Sequence, residues 1–200
     1  MSSTIHNLKR FHASLTCVVM LGGASTVCAA PVPYKIDIAH SEVNFGVQCF
    51  GLFKYGGRFS RFSGNVVLDP NHWETLKLNI SIPVDSLESR PRLWRRALLG
   101  PAFFDGVHYP SIAFGAMNAA RTGRNSAQAT GNLTIRGTTR PLHLAILASP
   151  NADAIEINTE TTLKRSDFGL GGVLPFASDD VTVLLRLRLL PEPAILPATP

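Results

Sequence analysis

The side chains best able to do chemistry are the histidines, the cysteines and a knot of arginines, and their spacing decides what each group can do. His40, His72, His108 and His143 include no i, i+4 pair and stand in no Cys- or Asp-rich cluster, so the spacing of a metal site is absent. His40 beside Ser41 and Glu42 fits a catalytic group or a hydrogen-bonded turn, and the turn is the stronger reading. His143 alternates with Leu142 and Leu144 and reads as an outward strand residue. Cys49 shares the apolar phase of Phe45 and Val47, which suits a buried small hydrophobe better than a nucleophile. No Gly-x-Ser-x-Gly elbow, phosphate loop or dinucleotide fingerprint occurs, and Gly169-Leu170-Gly171-Gly172 reads as a flexible turn. No catalytic residue and no metal ligand is therefore expected, and the chain does not read as an enzyme. Arg90, Arg92, Arg95 and Arg96 surround Trp94. Of these, Arg92, Arg95 and Arg96 could hold an anionic headgroup or rest on an acidic membrane, since guanidinium reads phosphate through a planar fork. A solvated helix face explains them equally well.

The elements that must position these groups are mostly strands. Leu76, Leu78, Ile80, Ile82 and Val84 alternate with Lys77, Asn79 and Ser81, the signature of a strand with one apolar and one wet face. The same period recurs at Val43–Cys49, at Leu142–Ile146, at Ile155, Ile157, Thr159, and at Val181–Leu189 with Arg186 and Arg188 outside. Turn signals separate the runs, among them Gly56-Gly57, Asp69-Pro70-Asn71, Gly137 and Ser149-Pro150-Asn151. One stretch differs: Leu93 and Ala97, Trp94 and Leu98 fall at helical spacing over 92–99, with Ser89 as cap, Pro91 in the first turn and Gly100-Pro101 as stop. The fold class expected is all-β: an eight-stranded antiparallel barrel with one short helix inserted after the third strand. Such a barrel encloses packed side chains or one small ligand. Phe45, Val47, Phe59, Phe62 and Phe104 are candidates for its lining. Cys49, Trp94, Phe114 and Phe168 complete the expected ligand-binding set, although composition alone favours phenylalanines that simply fill a core.

Composition agrees with one exported domain. The chain has 200 residues, 45% of them hydrophobic and 16% charged, which excludes wholly disordered, collagenous and coiled-coil classes. Lys9 and Arg10 precede a short apolar run, Leu15–Leu21, and a small-residue exit at Cys28-Ala29-Ala30, the order of a secretory signal peptide over 1–29. Without it, 17 basic residues face 14 acidic ones, and the net charge falls from +5 to +3, too mild to require nucleic acid. Only Cys49 then remains of the three cysteines, so no internal disulfide is expected. The mature domain spans 30–190, and four prolines mark 191–200 as a Pro-rich tail. The location expected is periplasmic or secreted.

Several segments, in order, resemble the YceI-like family of exported, polyisoprenoid-binding proteins. They are Tyr34-Lys35-Ile36-Asp37 with His40-Ser41-Glu42-Val43-Asn44-Phe45, Gly57-Arg58-Phe59 with Phe62-Ser63-Gly64, and Phe103-Phe104-Asp105 with Tyr109-Pro110-Ser111. Gly131-Asn132-Leu133-Thr134-Ile135-Arg136-Gly137 resembles the family's most recognisable turn, and Arg165-Ser166-Asp167-Phe168-Gly169 and Asp180-Val181-Thr182 its close. The resemblance spans 34–190 and implies a lipocalin-like barrel around an isoprenoid chain, such as a quinone tail. It departs at Cys49, where the family usually has a histidine, and at Trp94–Leu98, where many members carry an arginine, an acid and a second histidine. No role of those histidines is carried over. The resulting expectation is a non-catalytic carrier of an isoprenoid lipid, with no cofactor beyond that lipid or a quinone. A filled, ligand-free structural or stress-related barrel is the alternative. Partners expected are the lipid, a second copy of the chain and a transient membrane surface; nucleic acid is not expected.

Overall fold

The alternation from Leu76 onward is realised in β5 (His72–Pro83), where Trp73, Leu76, Leu78, Ile80 and Ile82 are buried and Lys77, Asn79 and Ser81 are exposed. The computed structural model describes residues 31–49, 53–90, 92–151, 153–171 and 177–192. The signal peptide expected over 1–29, Pro91 of the expected helix start, and residues 193–200 of the expected tail lie outside them.

The remaining strands are β1 (Val32–Ile36), β2 (Glu42–Cys49), β3 (Phe53–Phe59), β4 (Ser63–Asp69) and β6 (Leu87–Arg90). After the helix come β7 (Ser111–Arg121), β8 (Ser126–Ile135), β9 (Thr138–Pro150), β10 (Ile155–Lys164) and β11 (Ala177–Pro191). β1 leads into β2 through a 3-10 turn at Ile38–His40, and β5 into β6 through another at Val84–Ser86. β3 continues into β4 across residues 60–62. Counting each such pair as one bent strand gives eight strands, and β1 pairing with both β4 and β11 closes an antiparallel barrel. The single helix, α1 (Trp94–Leu99), follows the third bent strand.

The two ends of the barrel differ. At the lower end, which carries the turns at 70–71, 122–125 and 151–154, hydrogen-bonded pairs run round most of the ring, and β5 and β7 pair from Lys77↔Met117 upward. At the upper end the ring has two seams. β5 pairs with β7 up to Pro83↔Ser111, but its continuation β6 pairs only with β3. β9 pairs with β10 only from Leu147↔Asn158 to Pro150↔Ile155, leaving Thr159–Lys164 bonded to β11 alone. The segment 92–110, including α1, belongs to the first seam. A 3-10 turn at Arg165–Phe168 belongs to the second and packs on β9 and β10.

Two boundaries differ from the sequence reading. Ser89 does not cap a helix: it lies in β6, paired with Gly57 and buried, because Leu87–Arg90 prolong the sheet along β3. The helix begins at Trp94, after Leu93, which makes no side-chain cap. β11 also runs one residue into the segment read as tail, since Pro191 pairs with Tyr34 and the Glu192 N–H donates to the Pro33 carbonyl.

Candidate functional site

Splitting the upper end separates the inner faces of β7–β9 from those of β10, β11, β2 and β3, and a cavity of about 190 Å³ lies between them. That is more than ten times the roughly 10–15 Å³ a single buried water needs. Its wall is almost wholly apolar. Because strand side chains alternate, Val181, Val183 and Leu185 of β11 face Leu133 and Ile135 of β8 across the space. Both segments at the seams contribute phenylalanines, Phe103 and Phe104 after α1 and Phe168 from the 3-10 turn. Phe104 meets Phe59 edge-on with ring centroids 5.9 Å apart, and Phe45 at 6.5 Å. Trp94 stacks on Tyr55 of β3 at 5.0 Å with the rings 10° from parallel, holding α1 against the mouth.

Seven of the nine residues expected to bind ligand border this cavity: Phe45, Val47, Phe59, Trp94, Phe104, Phe114 and Phe168. Phe62 and Cys49 do not. Both are buried, at 4% and 3% exposure, but Phe62 sits where β3 bends into β4 and Cys49 ends β2. Sequence reading missed Tyr55, Leu98, Thr159 and Thr161, which also line the wall. The two threonines carried a signal, because the inward phase of β10 changes from Ile155 and Ile157 to Thr159 and Thr161.

The arginines serve the upper end mainly through backbone carbonyls. Arg95 donates from Nε to the Leu87 carbonyl at 2.7 Å and from Nη2 to that of Asp85 at 2.6 Å, tying α1 to β6. Arg136, in the two-residue β8–β9 turn with Gly137, donates to the carbonyls of Gly169 and, at 2.8 Å, Pro101, so it joins both seam segments. Both turn residues have positive φ, 50° and 72°, as a type I′ hairpin requires. Arg140 reaches the Asp167 carbonyl at 3.3 Å, and Arg165 reaches those of Leu170 and Ser178 at 3.0 and 3.1 Å. Of the three arginines expected at a headgroup, Arg95 is thus engaged in the fold. Arg92 is exposed on a polar groove beside the cavity, together with Lys54 and an Arg58–Glu88 ion pair at 2.8 Å that holds the Glu88 carboxyl below its ordinary range. Arg96 is exposed and borders neither space.

The histidines stand apart from the cavity. His40 contacts Asp37 through Nδ1 at 2.7 Å in the first 3-10 turn, and His143 contacts Thr130 at 3.0 Å on the outer face of β9. His72 and His108 pair likewise with Asp69 and Asp105, three residues earlier in each case. Among the described residues no group of three or more His, Cys, Asp or Glu is placed to hold a metal.

A lipocalin-like barrel with an apolar cavity under a clasped upper end defines the class: a container for an apolar molecule. The chain belongs to the family described as YceI-like domain, which matches residues 34–189. A UPF0312 protein of Pectobacterium atrosepticum is 27% identical over 187 residues, covering 90% of this chain and 97% of its own. Among solved structures, Burkholderia cenocepacia BcnA superposes with a TM-score of 0.73 at 24% identity, covering 76% of this chain and 98% of that one. A polyisoprenoid binding domain from Saccharophagus degradans, implicated in plant cell wall breakdown, gives 0.63 at 14% identity, covering 80% and 99%. Those two likenesses bear on the fold.

Proposed function

We propose that the mature chain is an exported binding protein that sequesters or carries an isoprenoid lipid, either a polyprenyl chain or an isoprenoid quinone. The observation that carries this reading is the apolar cavity of about 190 Å³ at the split end of the barrel. Burying each methylene there is worth about 0.8 kcal/mol, so a few isoprene units outweigh the cost of ordering the chain. The polyisoprenoid-binding description of the Saccharophagus neighbour supports the ligand class. The basic, apolar and small-residue order of residues 1–29 supports export to the periplasm or beyond. No step of this reading makes or breaks a covalent bond, so the protein acts by binding alone.

Native mass spectrometry of the protein purified from its host compartment, followed by organic extraction, tests the reading. A co-purifying lipid, or saturable binding of added prenyl alcohols and quinones, is the expected result. Repeated absence of lipid together with no binding of either probe would overturn it.

A further inference from the structure

The segment 92–110 at the first seam has two sides. On one, Trp94, Leu98, Phe103 and Phe104 border the cavity. The other is exposed, with Leu93, Ala97, Ala102 and Val107 forming its apolar part and Arg92 and Arg96 carrying charge. Leu93, Arg96 and Ala97 stand at i, i+3 and i+4 along α1, so they share a face. The Gly106 N–H donates to the Leu99 carbonyl at 3.0 Å, which keeps Val107 near the other end of the helix. Leu93 and Val107, at 75% and 88% exposure, are the two most exposed large hydrophobic residues among those described. The charge is one-sided as well. Three arginines lie in this segment against a single acid, Asp105, which is buried and 2.9 Å from His108. An ordinary solvated face mixes both signs, as β10 does with exposed Glu156, Glu160 and Lys164. Apolar side chains standing free among arginines, with no exposed acid, suit a surface that is both apolar and anionic.

We propose that this outer side of 92–110 docks on a bilayer of anionic phospholipid. Leu93 and Val107 enter the boundary between headgroups and acyl chains, while Arg92 and Arg96 meet lipid phosphates, which guanidinium engages through paired N–H donors. Position favours a bilayer over a protein partner. The same short segment walls the cavity on its inner side, and an apolar ligand of that cavity resides in membranes because water excludes it. Docking sets the cavity mouth against that reservoir. The docking goes beyond the lipid-binding reading and stands without it; only its use for loading rests on that reading.

Co-sedimentation of the protein purified from its host compartment is measured with vesicles of phosphatidylcholine alone and of phosphatidylcholine mixed with phosphatidylglycerol. Binding to the mixed vesicles is expected, weaker on phosphatidylcholine alone and weakened by added salt. Arg92→Gln combined with Arg96→Gln should reduce it on the order of tenfold. Leu93→Ser combined with Val107→Ser should do the same, while leaving the binding of a short prenyl alcohol in vesicle-free solution within about twofold of wild type. Thermal melts confirm that both double variants are folded. Absence of binding to the mixed vesicles, or equal binding by wild type and both variants, overturns the proposal. So does a wild type that is dimeric in solution and becomes monomeric on Leu93→Ser with Val107→Ser, which would give this face to a second copy of the chain. Vesicle binding as expected, with no prenyl alcohol or quinone bound, would keep the docking and overturn the lipid-binding reading.

Discussion

The closed lower end of the barrel and its split upper end are built from the same strands yet packed in opposite ways. Below, Val66 and Leu68 of β4, Leu76 of β5 and Leu189 of β11 are each 0 or 1% exposed, and β9, β10, β11, β1 and β4 are joined in turn by backbone pairs. Above, the interior is faced with aromatic side chains that remain partly exposed, such as Phe45 and Phe104, and they leave space between them. The difference teaches that this barrel assigns stability to one end and adaptability to the other. Aliphatic side chains can interdigitate to fill a closed ring, whereas a few rings set at angles to one another can border a space without filling it.

The largest test of that division is Leu189→Ala. Truncating a fully buried leucine in the closed end should cost about 3 kcal/mol in urea unfolding, with ligand affinity unchanged in the folded protein. A loss below about 1 kcal/mol would mean that the lower end is not the stable one. Gly131→Ala probes the junction between the regions. A methyl group there would press on the Gly115 carbonyl and stand 2.7 Å from the Phe114 ring, which borders the cavity. About 2 kcal/mol of stability should be lost, and lipid affinity should fall as Phe114 is displaced inward; unchanged affinity would separate that ring from the ligand. Phe104→Ala removes more atoms than Leu189→Ala, but from a partly exposed site beside existing space. It should cost only about 1.5 kcal/mol and enlarge the cavity, and a cost above that of Leu189→Ala would reverse the comparison.

The smallest effect belongs to the Asp69–His72 pair at the lower turn, 2.8 Å apart. The Asn71 N–H and then His72 hold the Asp69 carboxyl below its ordinary value, and the same carboxylate holds the His72 imidazole above its own. Asp69 therefore stabilises the fold above about pH 4, an effect lost as pH falls through its lowered value. His72 stabilises it below about pH 6.5, an effect lost as pH rises through its raised value. The melting temperature of His72→Gln should fall below that of wild type most clearly near pH 5–6. The two should converge above about pH 8, and a gap that persists there would show that the imidazole acts by packing rather than by charge.

Much of this organisation is legible in the residues, and what is not has physical reasons. Strand phase is visible because one wet face forces a period of two, which puts Phe45 on the inner face with Val43 and Val47. Phase tells that a side chain is buried, not whether it meets space or neighbours, so Phe62 and Cys49 read the same as wall residues. Ser89 was ambiguous because a residue that can cap a helix can equally sit in a strand, and only the pairing with Gly57 decides. The seams are invisible in one sequence, since whether β9 stays beside β10 depends on residues far apart in the chain. The arginine knot declared its charge but not its carbonyl acceptors. Thr159 and Thr161 were readable as a break in the apolar phase of β10, although the break alone does not tell that both border the cavity.

Closing a sheet into a barrel normally removes every unpaired edge. The two seams restore three of them, along β6, β9 and β10, in the half of the molecule that is less tightly packed. Proline, which has no N–H to offer a foreign strand, stands at Pro83, Pro110 and Pro141 beside these edges. The arginine bonds to Leu87, Asp85, Gly169 and Pro101 keep 92–110 and 165–171 in place over them. Side-chain bonds of this kind open more readily than a ladder of strand pairs. The end of the barrel proposed to hold the lipid is therefore also the end where a strand of a second molecule would find edges to pair with, and Arg95 and Arg136, by holding the covering segments down, oppose that pairing.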